Sequence, residues 1–393
     1  MAIPRTSLVL FLVSMFFDST FAASSSSYNV ISFGAKPDNQ SDSTQAFQAA
    51  WAKACASTKS ASIYVPRGRY YLRSVTFNGP CKNNAISMRI DGSLVAPSDF
   101  RVIGNLVAWI MFRHVNGVTI AGGILDGQGT GLWDCKNSTK DCPNGATTLE
   151  FSNSKNIAIT GLTSLNSQMF HVVVNDCQNL KIKGLKIIAS GDSPNTDGIH
   201  VEQSSNVTIL NSHISTGDDC ISIGPGTFNM WIENIVCKPG HGISIGSLGK
   251  NLEEAGVRNI TVKKALFSHT QNGVRIKTWG RPSNGFATNI LFQKIVMDNV
   301  KNPIIIDQNY CPNHKDCSSQ ASGVQISNVT YQDIHGTSAT QIAVKFDCSP
   351  TNPCVQIRLE DINLTSRKNQ TAQAVCSHVE GIATGLVEPT SCF

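Results

Sequence analysis

Short runs of alternating apolar and polar residues recur along most of this chain, and each run follows an asparagine. The runs begin 23 to 40 residues apart, at Asn116, Asn156, Asn179, Asn206, Asn229, Asn259 and Asn289. Alternation with a period of two predicts short β-strands. No long amphipathic helix fits between these runs, and the βαβ units of a doubly wound sheet need such helices. The pattern therefore disfavours a doubly wound α/β fold.

Short strands that recur at this spacing, separated by Gly and Asn turns, are typical of the coils of a parallel β-helix. In such a solenoid each coil buries its apolar face against its neighbours. The unequal intervals predict inserted loops of different lengths. Leucine-rich repeats are the main alternative, but their leucine framework is missing. The predicted fold class is therefore all-β, a single-stranded parallel β-helix.

One segment near the start has the spacing of a helix. Its apolar residues follow the i, i+3, i+4, i+7 pattern of an amphipathic helix, namely Phe47, Ala50, Trp51 and Ala54. Ser43 or Thr44 can cap this helix. Because a β-helix has to cover its exposed end, we expect a short N-terminal capping helix and not a separate domain.

The first 23 residues predict export. Arg5 gives a positive start, Leu8 to Phe17 form an almost unbroken apolar run, and Phe21-Ala22-Ala23 offers small residues for cleavage. This is the pattern of a signal peptide, and it is too short for a membrane span. We therefore expect a signal peptide over 1–23 and one catalytic β-helix domain over 24–393, secreted and outside any membrane.

Thirteen cysteines fit an oxidising compartment. Four close pairs predict local disulfides: Cys135/Cys142, Cys311/Cys317, Cys348/Cys354 and Cys376/Cys392. Structural zinc is the alternative, but none of these pairs has the CxxC spacing of a zinc knuckle. The odd count leaves one thiol over, and we expect Cys177 to be buried and free. Seven N-x-[ST] sequons also fit secretion, at Asn39, Asn137, Asn206, Asn259, Asn328, Asn363 and Asn369.

The formal net charge of +5 is modest and spread along the chain. It lacks the basic runs of a nucleic-acid binder, so no nucleic-acid partner is expected. A mild positive excess suits an acidic polysaccharide, although charge is weak evidence by itself.

A second repeated phrase carries the candidate chemistry. It occurs as Asp197-Gly-Ile-His-Val, Asp219-Cys-Ile-Ser-Ile, His241-Gly-Ile-Ser-Ile and Asn272-Gly-Val-Arg-Ile. If these are equivalent strands of successive coils, their first residues stack at the strand spacing of about 4.8 Å. Strict alternation would place Asp197 and Asp219 in phase with buried isoleucines, so we expect both aspartates on the turn before the strand.

The stacked phrases bring three carboxylates and a histidine together, with Asp218 beside Asp219. An inverting glycoside hydrolase needs an acid and a base roughly 6.5–9.5 Å apart, and residues one or two coils apart span about 4.8 to 10 Å. Adjacent like charges predict a raised pKa for Asp218 or Asp219, which suits an acid held protonated. A lone Gly-Asp-Asp is more often only a turn, but its coincidence with the repeat favours a site.

Two cations lie on the fourth of these stacked strands. Arg275 and Lys277 flank Ile276, so alternation points both outward on one face. Arg offers a fork for a carboxylate and Lys a point charge. Such a face beside an acid cluster favours a sugar that carries its own carboxylate, and a surface salt bridge is the alternative.

At these residues the chain closely resembles the plant polygalacturonases of glycoside hydrolase family 28. The four motifs of that family stand in order, and the resemblance covers essentially the whole mature chain: Asn195-Thr196-Asp197, Gly217-Asp218-Asp219, Gly240-His241-Gly242 and Arg275-Ile276-Lys277. The sequence around these motifs looks most like that of the pollen-type exopolygalacturonases, notably at residues 193–200 and 302–312. Several pollen members of that group are allergens, although no residue here indicates allergenicity.

The resemblance implies a right-handed β-helix and hydrolysis of α-1,4-galacturonosyl linkages of pectin with inversion, without cofactor or metal. It implies that Asp218 is the general acid, that Asp197 and Asp219 position and deprotonate the water, and that His241 supports the acid and the substrate.

Substrate contacts are also implied by the resemblance. Arg275 and Lys277 would bind galacturonate carboxylates, while Asn195 and Tyr310 would line the cleft. The family also pairs the cysteines that match Cys220 and Cys237 here.

The expected function is exopolygalacturonase action from the non-reducing end, by a monomer at the plant cell wall. Endo action remains the nearest alternative, because loops decide whether one end of the cleft is closed. A rhamnogalacturonan or xylogalacturonan hydrolase, a calcium-dependent pectate lyase and a non-catalytic cell-wall-binding β-helix are the others.

Overall fold

The computed structural model describes residues 26–138, 141–312, 317–367 and 371–393. The predicted signal peptide (1–23) and the sequon asparagine Asn369 lie outside these ranges.

Parallel strands dominate the chain. Within the described ranges, 19 strands belong to one sheet: β1 (Ser26–Asn29), β2 (Asp38–Asp42), β3 (Ala61–Val65), β4 (Arg69–Tyr71), β6 (Ile86–Ile90), β7 (Ser93–Val95), β9 (Asn116–Ala121), β10 (Ile124–Asp126), β12 (Lys155–Thr160), β13 (Thr163–Leu165), β15 (Gln178–Lys183), β16 (Lys186–Ile188), β18 (Ser205–Ser215), β20 (Phe228–Cys237), β22 (Val257–Ser268), β24 (Phe286–Val300), β26 (Gln325–Ser338), β28 (Cys354–Ser366) and β30 (Val379–Glu388).

A second parallel sheet faces the first. Its strands, again counted over the described residues, number 11: β5 (Val75–Asn78), β8 (Ala108–Arg113), β11 (Thr147–Ser152), β14 (Val172–Asn175), β17 (Ile199–Glu202), β19 (Ile221–Ile223), β21 (Ile243–Leu248), β23 (Asn272–Trp279), β25 (Asn302–Tyr310), β27 (Ile342–Asp347) and β29 (Gln373–Ser377). Each strand of this 11-strand sheet pairs with its equivalents on the adjacent coils, and the terminal strands β5 and β29 pair on one side each.

The coils are built from three strands at first and from two longer ones later. In the 19-strand sheet, one ladder runs from β1 through β15 and a second from β2 through β16, and both pair with the 11-residue strand β18. From β18 onward one long strand replaces the two short ones. The predicted all-β parallel β-helix is therefore confirmed.

The repeated asparagines form a ladder along the surface of the 19-strand sheet. Each Nδ2 donates to the Oδ1 of the asparagine one coil earlier, over 2.5–3.2 Å, from Asn289 through Asn259, Asn229, Asn206, Asn179 and Asn156 to Asn116. All but Asn116 have φ between 54° and 58°. Asparagine tolerates this left-handed conformation better than most residues, which explains its recurrence at the start of each run.

The predicted end-capping helix is present as α1 (Thr44–Ala56). Its predicted apolar residues are buried, and it packs on β1, β3 and β5 near the N-terminal end of the solenoid. Ser43 is the capping residue, but its hydroxyl accepts from the Lys36 N–H; Asp42 Oδ1 instead accepts from the Thr44 N–H at 2.9 Å. A second helix, α2 (Thr130–Asn137), lies in a loop insertion.

Six disulfides link described cysteines, and Cys177 is buried and free as predicted. The four close pairs are bonded, as is the pair that the family resemblance implied, Cys220–Cys237. Cys55–Cys81 joins residues 26 apart in sequence and was not predicted. Of the helices described, neither is long and apolar enough to cross a membrane.

Candidate active site

The stacked phrases occupy equivalent positions on four successive strands of the 11-strand sheet. Ile199 pairs with Ile221, Ile221 with Ile243, and Ile243 with Val274. All four side chains are fully buried between the sheets. Burial of this apolar stack fixes the register, because a shift by one residue would turn every apolar side chain outward.

Asp197 and Asp219 each precede their strand by two residues, so they lie on the turn as expected. The coils approach closely there: the Gly198 N–H donates to the Asp219 carbonyl at 2.9 Å. Gly217 is needed for the same reason, since a Cβ on it would lie 2.2 Å from the Ser193 carbonyl oxygen. The turn therefore holds the aspartates on neighbouring coils at one edge of the sheet.

On each strand of this sheet, one side chain between two buried residues points outward. These outward side chains are in register from one coil to the next. We call this set the outward row; in N-to-C order it contains Glu150, Val173, His200, Ser222, Ser244, Arg275, Ile305 and Lys345. Its middle members contact the aspartates directly.

Asp219 is held by two cations and a hydroxyl. Its Oδ1 accepts from Arg275 Nη2 at 2.8 Å and from Ser244 Oγ at 2.7 Å, and its Oδ2 from Lys277 Nζ at 2.8 Å. The side chain is 1% exposed. Burial would raise its pKa, but the charges of Arg275 and Lys277 outweigh burial and lower the pKa to about 2. Asp219 is therefore ionised at every physiological pH.

Asp197 has the opposite electrostatic environment. It is 6% exposed, and Ser222 Oγ donates to its Oδ2 at 2.7 Å. Burial, followed by the negative charges of Asp218 and Asp219, raises its pKa well above the ordinary value. The raised pKa of Asp197 was not predicted from the sequence, and at Asp219 the two cations prevent the predicted rise. Neighbouring carboxyl groups whose pKa values are driven apart are typical of acid–base sites.

Asp218 is the more accessible carboxyl group. Its side chain is 21% exposed, and its Oδ1 lies 3.0 Å from His241 Nδ1 and accepts from the Asp219 N–H at 2.8 Å. The His241 N–H also donates to the Asp218 carbonyl at 2.7 Å. Both backbone and ring contacts therefore fix Asp218 against the next coil. The Cys220–Cys237 disulfide joins the residue after Asp219 to the strand that leads to His241.

Arg275 and Lys277 point outward as predicted, while Ile276 is in the core. Both cations are at least nine-tenths buried and paired with Asp219. The predicted contact of these cations with a sugar carboxylate stays a prediction.

The two remaining predicted residues flank the aspartates. The Tyr310 ring lies under Lys277, with Nζ 5.1 Å from its centroid, and packs edge-on against Trp279. Asn195 is exposed at φ 57°, two residues before Asp197. Its side chain has no hydrogen bond to another described residue, so it is free to meet a ligand.

Sequence reasoning missed three residues of the outward row. Ser244 bridges Arg275 Nε, at 2.9 Å, to Asp219. Ser222 bridges His200 to Asp197, and since a hydroxyl has one proton to donate, His200 Nδ1 must donate the bond of 2.8 Å to Ser222. The repeated phrase could have identified these three residues. Each lies between two apolar residues of the phrase, at the position that Arg275 occupies on the fourth strand.

A metal ion could geometrically be held by Asp218, Asp219 and His241, whose ligand atoms lie within 4.8 Å of one another. However, both Asp219 oxygens already accept from cations. A divalent ion there would face the charges of Arg275 and Lys277, so the donor set fits a metal poorly. The expected absence of a metal cofactor stays a prediction.

Known proteins are similar to this chain in sequence. A polygalacturonase of Prunus persica is 64% identical over 394 residues, covering 100% of each chain. An exopolygalacturonase of Platanus acerifolia is 44% identical over 375 residues, covering 93% of this chain and 98% of that protein.

Solved structures agree in fold. An exopolygalacturonase from Thermotoga maritima superposes with a TM-score of 0.78 at 18% identity, covering 91% of this chain and 90% of its own. An endo-xylogalacturonan hydrolase from Aspergillus tubingensis gives 0.78 at 21% identity, covering 93% and 100%. At such identities these likenesses establish the β-helix alone.

The family follows from the sequence match. The model of the glycosyl hydrolases family 28 matches residues 55–391, which include every residue of the candidate site. Together with the 64% identical relative, this match shows that the chain belongs to the glycosyl hydrolases family 28 and is a glycoside hydrolase.

Proposed function

We propose that this chain is an exopolygalacturonase, which hydrolyses α-1,4-galacturonosyl linkages of pectin from the non-reducing end with inversion. The observation that carries the proposal is the electrostatic split between Asp197, whose pKa is raised, and Asp219, whose pKa is lowered. The name of the Prunus relative, a polygalacturonase, supports the substrate, and that of the Platanus relative, an exopolygalacturonase, supports the exo mode.

In the proposed reaction Asp218 is the general acid. It is the most exposed of the three carboxyl groups and is oriented by His241, so it can reach the glycosidic oxygen. As the bond between C1 and that oxygen breaks, the Asp218 proton passes to the oxygen, which leaves as a hydroxyl group.

Water attacks C1 from the opposite side. Asp219 stays ionised and orients the water, while Asp197, the stronger proton acceptor once ionised, takes its proton. The cycle leaves Asp218 ionised and Asp197 protonated, and exchange with solvent restores both. Direct attack by one water inverts the configuration at C1.

The two cations of the site act on Asp219 and on the substrate. Arg275 and Lys277 keep Asp219 charged, and their remaining N–H groups would bind a galacturonate carboxylate. Asn195 and Tyr310 would line the same face. We propose that the chain acts as a secreted monomer at the plant cell wall, with residues 24–393 forming one catalytic domain and no cofactor.

The product profile from long polygalacturonate tests the function. We expect early release of monomer only, with little loss of viscosity. Mixed oligomers and a rapid viscosity drop would establish endo action instead. Unsaturated, ultraviolet-absorbing ends that disappear with a chelator would indicate a lyase, and defined rhamnogalacturonan or xylogalacturonan oligomers test the other substrates.

An Asp218→Asn variant tests whether the chain is catalytic in the proposed way. It keeps the shape of the side chain and removes the acid, so we expect hydrolysis to fall by roughly 10²-fold or more. Wild-type hydrolysis by a folded variant would refute the assignment of Asp218.

A further inference from the structure

An acidic cluster lies on the N-terminal side of the aspartates, on the same outward face. Glu150 stands in the outward row, two strands before His200, with Val173 between them. Glu202 ends the strand that His200 occupies. None of the assigned catalytic steps uses either glutamate.

Glu150 is an unpartnered carboxyl group. It is 6% exposed, and it makes no hydrogen bond or ion pair with any residue that the structure describes. Burial, followed by the charge of Glu202, raises its pKa. Its carboxylate oxygens are not among the fully buried, unpaired polar atoms of the described residues, so the group opens onto the outward face, where a ligand of the site would meet it.

Glu202 connects the cluster to the catalytic residues. Its Oε2 lies 3.6 Å from His200 Nε2, and His200 in turn reaches Asp197 through Ser222. The nearby His200 ring lowers the pKa of Glu202, so Glu202 carries its charge. The His200 ring is held by Phe170, with centroids 5.1 Å apart. His200 therefore connects Glu202 to the hydrogen bonds around Asp197.

The two sides of the aspartates differ in charge. Toward the C-terminus, the outward face carries the cations Arg275, Lys277 and Lys345, with Asp307 and Asp347 in register with Lys277. Toward the N-terminus, β11, β14 and β17 contain no Lys or Arg. The next cation on that side is Arg113 on β8, which pairs with Ser152 and stands three strands, about 14 Å, before β17.

We propose that Glu150 and Glu202 limit the N-terminal side of the site to a single galacturonate unit and thereby determine exo action. A polymer that extended further would place its next carboxylate over Val173 and His200, facing both glutamates. Like charges repel strongly at a partly buried surface, and repulsion of an unwanted binding mode is an established route to specificity. The inference rests on the proposed exopolygalacturonase activity and names the residues that enforce it.

The test is the double variant Glu150→Gln/Glu202→Gln with a galacturonate hexamer labelled at its reducing end. Both changes keep the side-chain shape and remove the charge. We expect the share of first cleavages that release a dimer or larger fragment to rise at least tenfold over wild type. The control Glu233→Gln, on the 19-strand sheet, makes the same chemical change away from the site and should leave the profile unchanged.

A second measurement removes the charge from the substrate instead. A hexamer methyl-esterified only at its non-reducing terminal unit should give the same rise in dimer release with the unaltered enzyme, so the test does not depend on the variant folding. If wild type releases only monomer from both hexamers, the inference is wrong while the exo assignment stands. If wild type releases mixed oligomers from the unmodified hexamer, the exo assignment itself is wrong.

Discussion

Lys277 Nζ lies 2.8 Å from Oδ2 of Asp219, while Arg275 occupies the other carboxylate oxygen at the same distance. All three side chains are almost completely buried. Arg275 and Lys277 are thus the partners of the Asp219 carboxylate in the absence of a ligand. A buried ion pair is costly to break, because the remaining charge is left without a partner.

A Lys277→Met variant should therefore lose both stability and activity. We expect the free energy of unfolding to fall by about 3 kcal/mol, the low end for a buried pair, because Arg275 remains. The folded-state pKa of Asp219 is lowered, so its contribution is present above the unfolded pKa and lost as pH falls toward about 2. Urea unfolding at pH 6 and at pH 2.5 should show a difference between variant and wild type that shrinks at the lower pH.

The matched control is Lys345→Met, which removes a cation from an exposed pair with Asp347. Surface pairs contribute about 0–1 kcal/mol, so this variant should unfold almost like wild type. Equal losses in the two variants would contradict the importance of the Asp219 pair.

Ser222 should set the acid limb of the pH–rate profile. Its hydrogen bond stabilises the ionised form of Asp197 and so lowers a pKa that burial and Asp218 raise. Ser222→Ala removes this bond, and the pKa of Asp197 should rise further. The acid limb of kcat/KM should then move to higher pH, since the proposed mechanism needs Asp197 ionised. Ser222→Thr keeps the hydroxyl and serves as control; identical acid limbs in all three enzymes would exclude Asp197 as the base.

The repeat pattern predicted the strands, the stacking and the phase of the aspartates, because a period of two and a coil length are properties of the local sequence. It could not predict the partners of Arg275 and Lys277, since both lie 56 or more residues from Asp219 in sequence. For the same reason the sequence does not reveal that the pKa of Asp219, one of the two residues for which a raised pKa is predicted, is lowered: the adjacent like charge is evident, but the two cations that outweigh it are not.

The asparagine phrase illustrates the same limit. Its recurrence predicts strands, yet the hydrogen-bonded ladder depends on the alignment of coils 23 to 40 residues apart. The sequons at Asn206 and Asn259 fit secretion, and in the folded chain both side chains belong to this ladder.

The Cys220–Cys237 disulfide should matter more for catalysis than the one at Cys135–Cys142. It closes a 17-residue separation beside Asp219, whereas the other closes seven residues on a loop with α2. Replacing both cysteines of the first pair by Ala should cost about 3 kcal/mol and lower kcat, measured by reducing-sugar release. The corresponding change at Cys135 and Cys142 should leave kcat unchanged, and equal kcat in both double variants would show that the first disulfide does not position the aspartates.

Asp197→Asn should stabilise the protein at neutral pH while abolishing activity. The folded state raises the pKa of Asp197 above its unfolded value, so folding favours the protonated form. Below the unfolded pKa both states are protonated and no penalty exists; as pH rises past that value, the unfolded state ionises first and stability falls. Asn, like the protonated acid, carries no charge and escapes this penalty. Urea unfolding should show a gain over wild type at pH 7 that disappears near pH 3, and a loss of stability at pH 7 would mean that the charge of Asp197 is not buried against its neighbours as the structure indicates.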